Sequence, residues 1–139
     1  MGCAGSAQPN LCYCEVIWIR ERGVQMSDCL FCKMVAGEIK PDVVYEDGEV
    51  LAFRDLNPQA PLHVLVIPKA HIATTNDLDN ENAAVIGKLY LAAQQIAAEA
   101  DVAEPGYRMV MNCNPAAGQS VYHIHLHLLG GRSMGWPPG

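Results

Sequence analysis

Ser120-Val121-Tyr122-His123-Ile124-His125-Leu126-His127-Leu128-Leu129 decides how the rest of the chain is read. Imidazoles alternate with aliphatic side chains, and a period of two is the period of a β-strand. The pattern predicts a strand over Val121 to Leu129. His123, His125 and His127 then share one face, while Ile124, Leu126 and Leu128 enter a core. Three imidazoles in a row are costly to keep for packing alone, because a buried ring without partners forfeits hydrogen bonds. At neutral pH an imidazole can be a nucleophile, a proton carrier or a metal ligand. The strand by itself leaves three readings open: a solvated edge, a tri-histidine zinc site, and a catalytic centre.

Working outward, Tyr107 to Asn112 reads as a strand, and Asn112 to Gly118 as a turn-rich loop leading into Gly118-Gln119-Ser120. Such a loop can offer backbone N–H groups and a hydroxyl to a phosphate. Val85, Ile86, Leu89, Ala93, Ile96, Ala97 and Ala100 recur at helical spacing. They predict a long helix, opened by Asp79 or Asn80, with one buried face. Leu62 to Ile67 is a short apolar strand ended by Pro68. Val43 to Glu46 and Glu49 to Asp55 flank Asp47-Gly48, which predicts a β-hairpin whose turn favours positive φ. Asp28 is placed to cap a short helix over Cys29 to Ala36. Runs of sheet with one long helix across them make an α+β fold with an antiparallel sheet of about five strands.

The 139 residues fit one domain. A net charge of −6 argues against a general nucleic-acid binder, which needs clustered Lys and Arg. It leaves room for a small phosphorylated ligand. No apolar run approaches the roughly 20 residues of a membrane span. Residues 1–25 lack the zones of a signal peptide. The expectation is therefore a cytoplasmic protein with no membrane or nucleic-acid partner. Its six cysteines then read as free thiols or metal ligands before disulfides. Composition shifts near Met26, so residues 1–25 read as an N-terminal extension and 26–139 as the domain.

The run from Gly118 through the three histidines to Gly130-Gly131-Arg132 resembles the signature of the histidine triad (HIT) family. Trp136-Pro137-Pro138-Gly139 resembles the tail of its Hint branch, the purine nucleoside phosphoramidases. Leu51 to Asp55, Pro58 to Pro61 and Val64 to Lys69 extend the likeness, which runs from about Asp28 to Gly139. The resemblance implies a HIT-like fold, dimeric through long helices and edge strands that build one continuous sheet. It implies a hydrolase acting on purine nucleoside phosphoramidates and aminoacyl-adenylates, with AMP or GMP as the product nucleotide. Two alternatives remain: a dinucleoside polyphosphate hydrolase or nucleotidyl transferase of the same superfamily, and a non-catalytic nucleotide-binding scaffold.

Residue by residue, His125 matches the family nucleophile and His127 a donor to phosphate oxygens. Ser120 matches a donor toward leaving group or phosphate, with backbone N–H groups of Gly118, Gln119 and Val121 completing a cradle. Asp55 matches the acceptor of the ribose hydroxyls and Asn112 a polar neighbour. Phe31, Phe53 and Leu56 match the base pocket, and Trp136 a tail that reaches a partner's site. His63 matches a residue that orients the triad from behind. Cys29-Leu30-Phe31-Cys32 departs from the Hint pattern and resembles bacterial family members, in which paired cysteines and two histidines hold structural zinc. The positions matched to that set are Cys29, Cys32, His63 and His123; His71 reads as a surface residue. A redox pair is a weaker reading, since no thioredoxin-like βαβ context surrounds the cysteines.

Overall fold

A computed structural model describes residues 28–139. The readings of residues 1–25 lie outside the described residues. Strands β1 (Val43–Glu46), β2 (Val50–Arg54), β3 (Leu62–Pro68), β4 (Tyr107–Val110) and β5 (Leu126–Gly130) form one sheet in the order β1-β2-β3-β5-β4. Every neighbouring pair is antiparallel. Helix α1 (Leu30–Val35) is short, and helix α2 (Ala84–Glu99) lies across the sheet. The α+β expectation with five antiparallel strands holds.

Strand β3 is central and buried at all seven positions. Its alternation separates two cores. Leu62, Val64 and Val66 turn toward α2, where they meet Leu89, Ala93, Ile96 and Ala97, joined by Leu126 and Leu128 from β5. Leu65 and Ile67 turn the other way, with Leu51 and Phe53 of β2, and Phe31 of α1 closes that side. One face of the sheet is thus committed to the long helix, and the other is free to carry chemistry.

Four local readings change. The triad strand begins at Leu126, so His123 and His125 precede it. Continuing the β3–β5 register from Val66↔Leu126 sets Ile124 opposite Pro68, which has no N–H for a ladder. Ile124 N–H instead donates to the Ile72 carbonyl at 2.8 Å, drawing the chain off the sheet edge. The α1 cap is Cys29, whose Sγ accepts from the Cys32 N–H at 3.4 Å, rather than Asp28. Neither Asp47 nor Gly48 has positive φ; the turn closes because the Asp47 carboxylate accepts the Glu49 and Val50 N–H groups, each at 2.8 Å. Helix α2 starts at Ala84, after a turn in which Asp79 accepts from Glu81 and Asn82.

Candidate functional site

The open face of the sheet carries His127 on β5 and His63 on neighbouring β3, with His63 Nε2 2.9 Å from His127 Nδ1. The backbone N–H of Gln59 donates to His63 Nδ1 at 3.0 Å. That ring nitrogen is therefore the acceptor, and the neutral ring keeps its proton on Nε2. His63 Nε2–H then donates to His127 Nδ1, which leaves the His127 proton on Nε2. The Asp55 carboxylate, 3.4 Å from His63 Nε2, supports the same tautomer. Burial, reinforced by the adjacent His125 and His63, pushes the His127 imidazole down to about 4, so it is neutral at physiological pH. Burial pushes His63 down as well.

His125 is held differently. Its Nδ1 lies 2.8 Å from the His123 carbonyl. A carbonyl only accepts, so Nδ1 carries the proton and Nε2 presents a lone pair. The His125 and His127 rings are 5.0 Å apart, and both line a cavity of about 550 Å³. One lone pair and one N–H donor thus face the same space. Phe31, Phe53 and Leu65 supply apolar walls, Asp55 and Leu56 stand on the rim, and Ser120 and Val121 close one side. Leu56 is 97% exposed, so it offers an apolar lip rather than a core contact.

Other expected residues lie outside that cavity. The Gln119 side chain is buried and committed: Oε1 accepts from the Asn114 N–H, and Nε2 donates to the Ala73 and Val121 carbonyls. Its backbone N–H donates to the Asn114 carbonyl, so it is unavailable to a phosphate cradle. Gly118 holds φ +89° where the Pro115–Ala117 turn ends, a conformation that suits glycine and sets the approach of Ser120. Asn112 is half-buried away from the cavity walls, and Trp136 is 83% exposed.

His123 belongs to a second cluster. Its Nε2 lies 2.7 Å from the Pro68 carbonyl and donates to it. Nδ1 therefore carries the lone pair, directed at Cys29 Sγ (3.5 Å) and Cys32 Sγ (3.6 Å). His71 Nδ1 is 3.2 Å from Cys32 Sγ. All four donor atoms lie within 4.8 Å of one another and could hold a metal ion. The fourth member is His71, not His63 as expected. His63 is engaged with His127 on the sheet, whereas the loop after Pro68 carries His71 back to the cysteines. Nothing in strand alternation pointed to His71, which is 52 positions before His123 in the chain. Burial, with Cys29 as neighbour, pushes the Cys32 thiol up to about 11. A bound cation reverses that penalty, since coordinating thiols are deprotonated.

Phe31 joins the two clusters. It sits between the cysteines in sequence and packs edge-on against His123 (5.8 Å), His125 (5.2 Å) and Phe53 (5.5 Å).

Residues 36–134 match the HIT domain family model. The purine nucleoside phosphoramidase of Escherichia coli is 48% identical over 108 residues, covering 78% of this chain and 91% of that protein. A HIT-like protein of Synechococcus elongatus is 54% identical over 112 residues, covering 81% and 97%. A crystal structure of a HIT family hydrolase from Legionella pneumophila superposes with a TM-score of 0.79 at 54% identity, covering 81% of this chain and 100% of that one. By fold, signature and sequence, the chain belongs to the histidine triad (HIT) family.

Proposed function

We propose that residues 26–139 form a nucleoside phosphoramidase that hydrolyses the P–N bond of purine nucleoside phosphoramidates and the acyl-phosphate P–O bond of aminoacyl-adenylates. The observation that carries this reading is the His125 Nδ1 bond to the His123 carbonyl, which aims an unprotonated Nε2 into a cavity also lined by Asp55. The base packs against the apolar wall formed by Phe31 and Phe53, and Asp55 accepts the ribose hydroxyls. His125 Nε2 attacks the α-phosphorus, a P–N bond to His125 forms, and the bond to the leaving amine breaks. Ser120 donates toward the leaving nitrogen, and His127 Nε2–H donates to a phosphoryl oxygen as charge builds there. Water then displaces His125 and releases the nucleoside monophosphate. Two displacements replace one harder step. The relationship to the Escherichia coli phosphoramidase supports the P–N assignment.

The quartet fits structural zinc. Bonds of about 2.3 Å to sulfur and 2.05 Å to nitrogen give a tetrahedral N···S edge of about 3.6 Å. The observed edges to His123 of 3.5 and 3.6 Å agree with it, and the His71–Cys32 edge of 3.2 Å is shorter and would open slightly around the ion. Cys29, Cys32, His71 and His123 would hold the ion, which would supply a fixed anchor for α1 and take no part in bond making. The Pro68 carbonyl orients His123 in the manner of an outer-shell partner. A cytoplasmic location suits these thiols. A homodimer fits edge strand β4, the 66% exposed Leu91 on α2 and the exposed Trp136.

The deciding experiment is turnover of adenosine 5′-phosphoramidate by wild-type and His125→Ala protein. The variant loses AMP release and forms no nucleotidyl adduct detectable by mass after acid quench, while still binding AMP. Full retained turnover overturns the assignment.

A further inference from the structure

The metal quartet and the candidate nucleophile are not independent. Two contacts join them, and both pass through residues of the quartet segment. The His123 carbonyl, on the backbone of a metal-site residue, accepts from His125 Nδ1 at 2.8 Å. Phe31, between Cys29 and Cys32, lies edge-on to the His125 ring at 5.2 Å. A change at the cysteine pair therefore reaches His125 without crossing any other element of the fold.

The cysteine pair is also reached from a second cavity. Cys29 is half-buried and, with His71, lines a cavity of about 700 Å³ on the far side of Ser120 and Val121 from the histidine cavity. Cys32 is 8% exposed and His123 is fully buried. The two Sγ atoms lie within 4.8 Å, whereas a disulfide is about 2.05 Å long. Closing the pair thus needs an approach of less than about 3 Å, within reach of side-chain rotation at the start of a six-residue helix.

We propose that Cys29 and Cys32 form an oxidisable dithiol whose closure to a disulfide releases the bound metal and displaces His125 from its attacking geometry. This rests on the phosphoramidase reading for its functional consequence. The oxidant is hydrogen peroxide. The Cys29 thiolate attacks one peroxide oxygen; an S–O bond forms, the O–O bond breaks, and the departing hydroxide is protonated to water. The Cys32 thiolate then attacks Cys29 Sγ, forming S–S and expelling the second hydroxide, which takes up a proton. Two thiols lose two electrons in total, and the peroxide becomes two waters. The metal site loses two of its four donors, so the ion departs into the larger cavity. Pinching the cysteines together pulls on Phe31, and the His123 ring is left with the Pro68 carbonyl alone to hold it, so its own carbonyl is less tightly fixed against His125.

The test treats zinc-loaded, full-length protein with hydrogen peroxide and follows four readouts together. These are zinc release by a chromogenic chelator, disulfide location by peptide mass mapping, kcat, and the side-chain ¹⁵N signals of His125. The expected result is one zinc released per Cys29–Cys32 disulfide, and a fall in kcat of at least tenfold. His125 should pass from a single Nδ1–H tautomer to an averaged pair. Dithiothreitol plus zinc restores all four. Cys113→Ser keeps the full response, and the Cys29→Ser/Cys32→Ser double variant forms no such disulfide and shows no peroxide-dependent change in its residual kcat. Zinc released and kcat lost with no Cys29–Cys32 disulfide formed, or zinc retained after the Cys29–Cys32 bond forms, overturns the proposal. So does a complete Cys29–Cys32 disulfide with unchanged kcat and an unchanged His125 tautomer. If the reduced, loaded protein has no phosphoramidase activity at all, the functional reading fails instead, and zinc release, disulfide mapping and the His125 signals still decide the redox claim.

Discussion

His63→Leu tests the tautomer relay most directly. His63 is 6% exposed and makes two ring hydrogen bonds, one from the Gln59 N–H at 3.0 Å and one to His127 Nδ1 at 2.9 Å. Leucine removes both. It leaves His127 Nδ1 without the donor that makes it the acceptor, so the His127 proton is free to move there and Nε2 ceases to be a dependable donor. Leaving a buried polar group unpaired costs about 1–3 kcal/mol. Referred to the transition state at about 1.4 kcal/mol per tenfold, this predicts a loss in kcat of roughly 5- to 150-fold. KM should move little, because His63 does not line the histidine cavity and Asp55 retains its 2.8 Å bond from the Asn57 N–H. Global stability should fall by a similar 1–3 kcal/mol, read from urea denaturation. His63→Gln keeps an N–H donor and should recover part of kcat. Steady-state kinetics on adenosine 5′-phosphoramidate give the answer. A His63→Leu enzyme within twofold of wild-type kcat would refute the reasoning, and so would a loss confined to KM.

Three further outcomes are expected. Elemental analysis of protein purified without chelator should find about one zinc per chain; His71→Ala should lower that content sharply and His63→Leu should not, the reverse of what the sequence suggested. Light scattering should give the mass of two chains, and a monomer at all concentrations would remove the dimer from the proposal. Stability should fall with acid: His127 titrates near 6.5 unfolded and at about 4 folded, so its contribution is full above about 6.5 and is lost as pH falls toward about 4. That gap is worth about 3 kcal/mol at 1.36 kcal/mol per pH unit. His127→Gln should flatten the pH dependence of unfolding free energy between pH 6.5 and 4, and an unaltered slope would count against the burial argument.

Much of the architecture was present in local pattern. Helix α2 followed from apolar spacing, and all five strands lay within or close to the stretches that alternation or apolar runs marked. Asp55, Phe31 and Phe53 were named from family likeness, and the structure brings them to one cavity with His125 and His127. The chain order also placed Cys29 and Cys32 on one turn.

Pattern could not say how the three histidines divide. Alternation treats His123, His125 and His127 as equals on one strand face. That holds only where the ladder continues, and it stops at Leu126, where the next position of β3 opposite Ile124 is Pro68. Each ring takes the hydrogen-bond partner that folding brings near: the Pro68 carbonyl for His123 and the His123 carbonyl for His125, both before the ladder, and the His63 ring of the neighbouring strand for His127. The choice of His71 over His63 beside the cysteines has the same origin. Residue type, spacing and signature are properties of the chain and identify the family. Which nitrogen of His123 and of His127 carries a proton, and which histidine meets a thiol, depend on contacts between residues 39 to 94 positions apart. Those distances exist only once the sheet has closed.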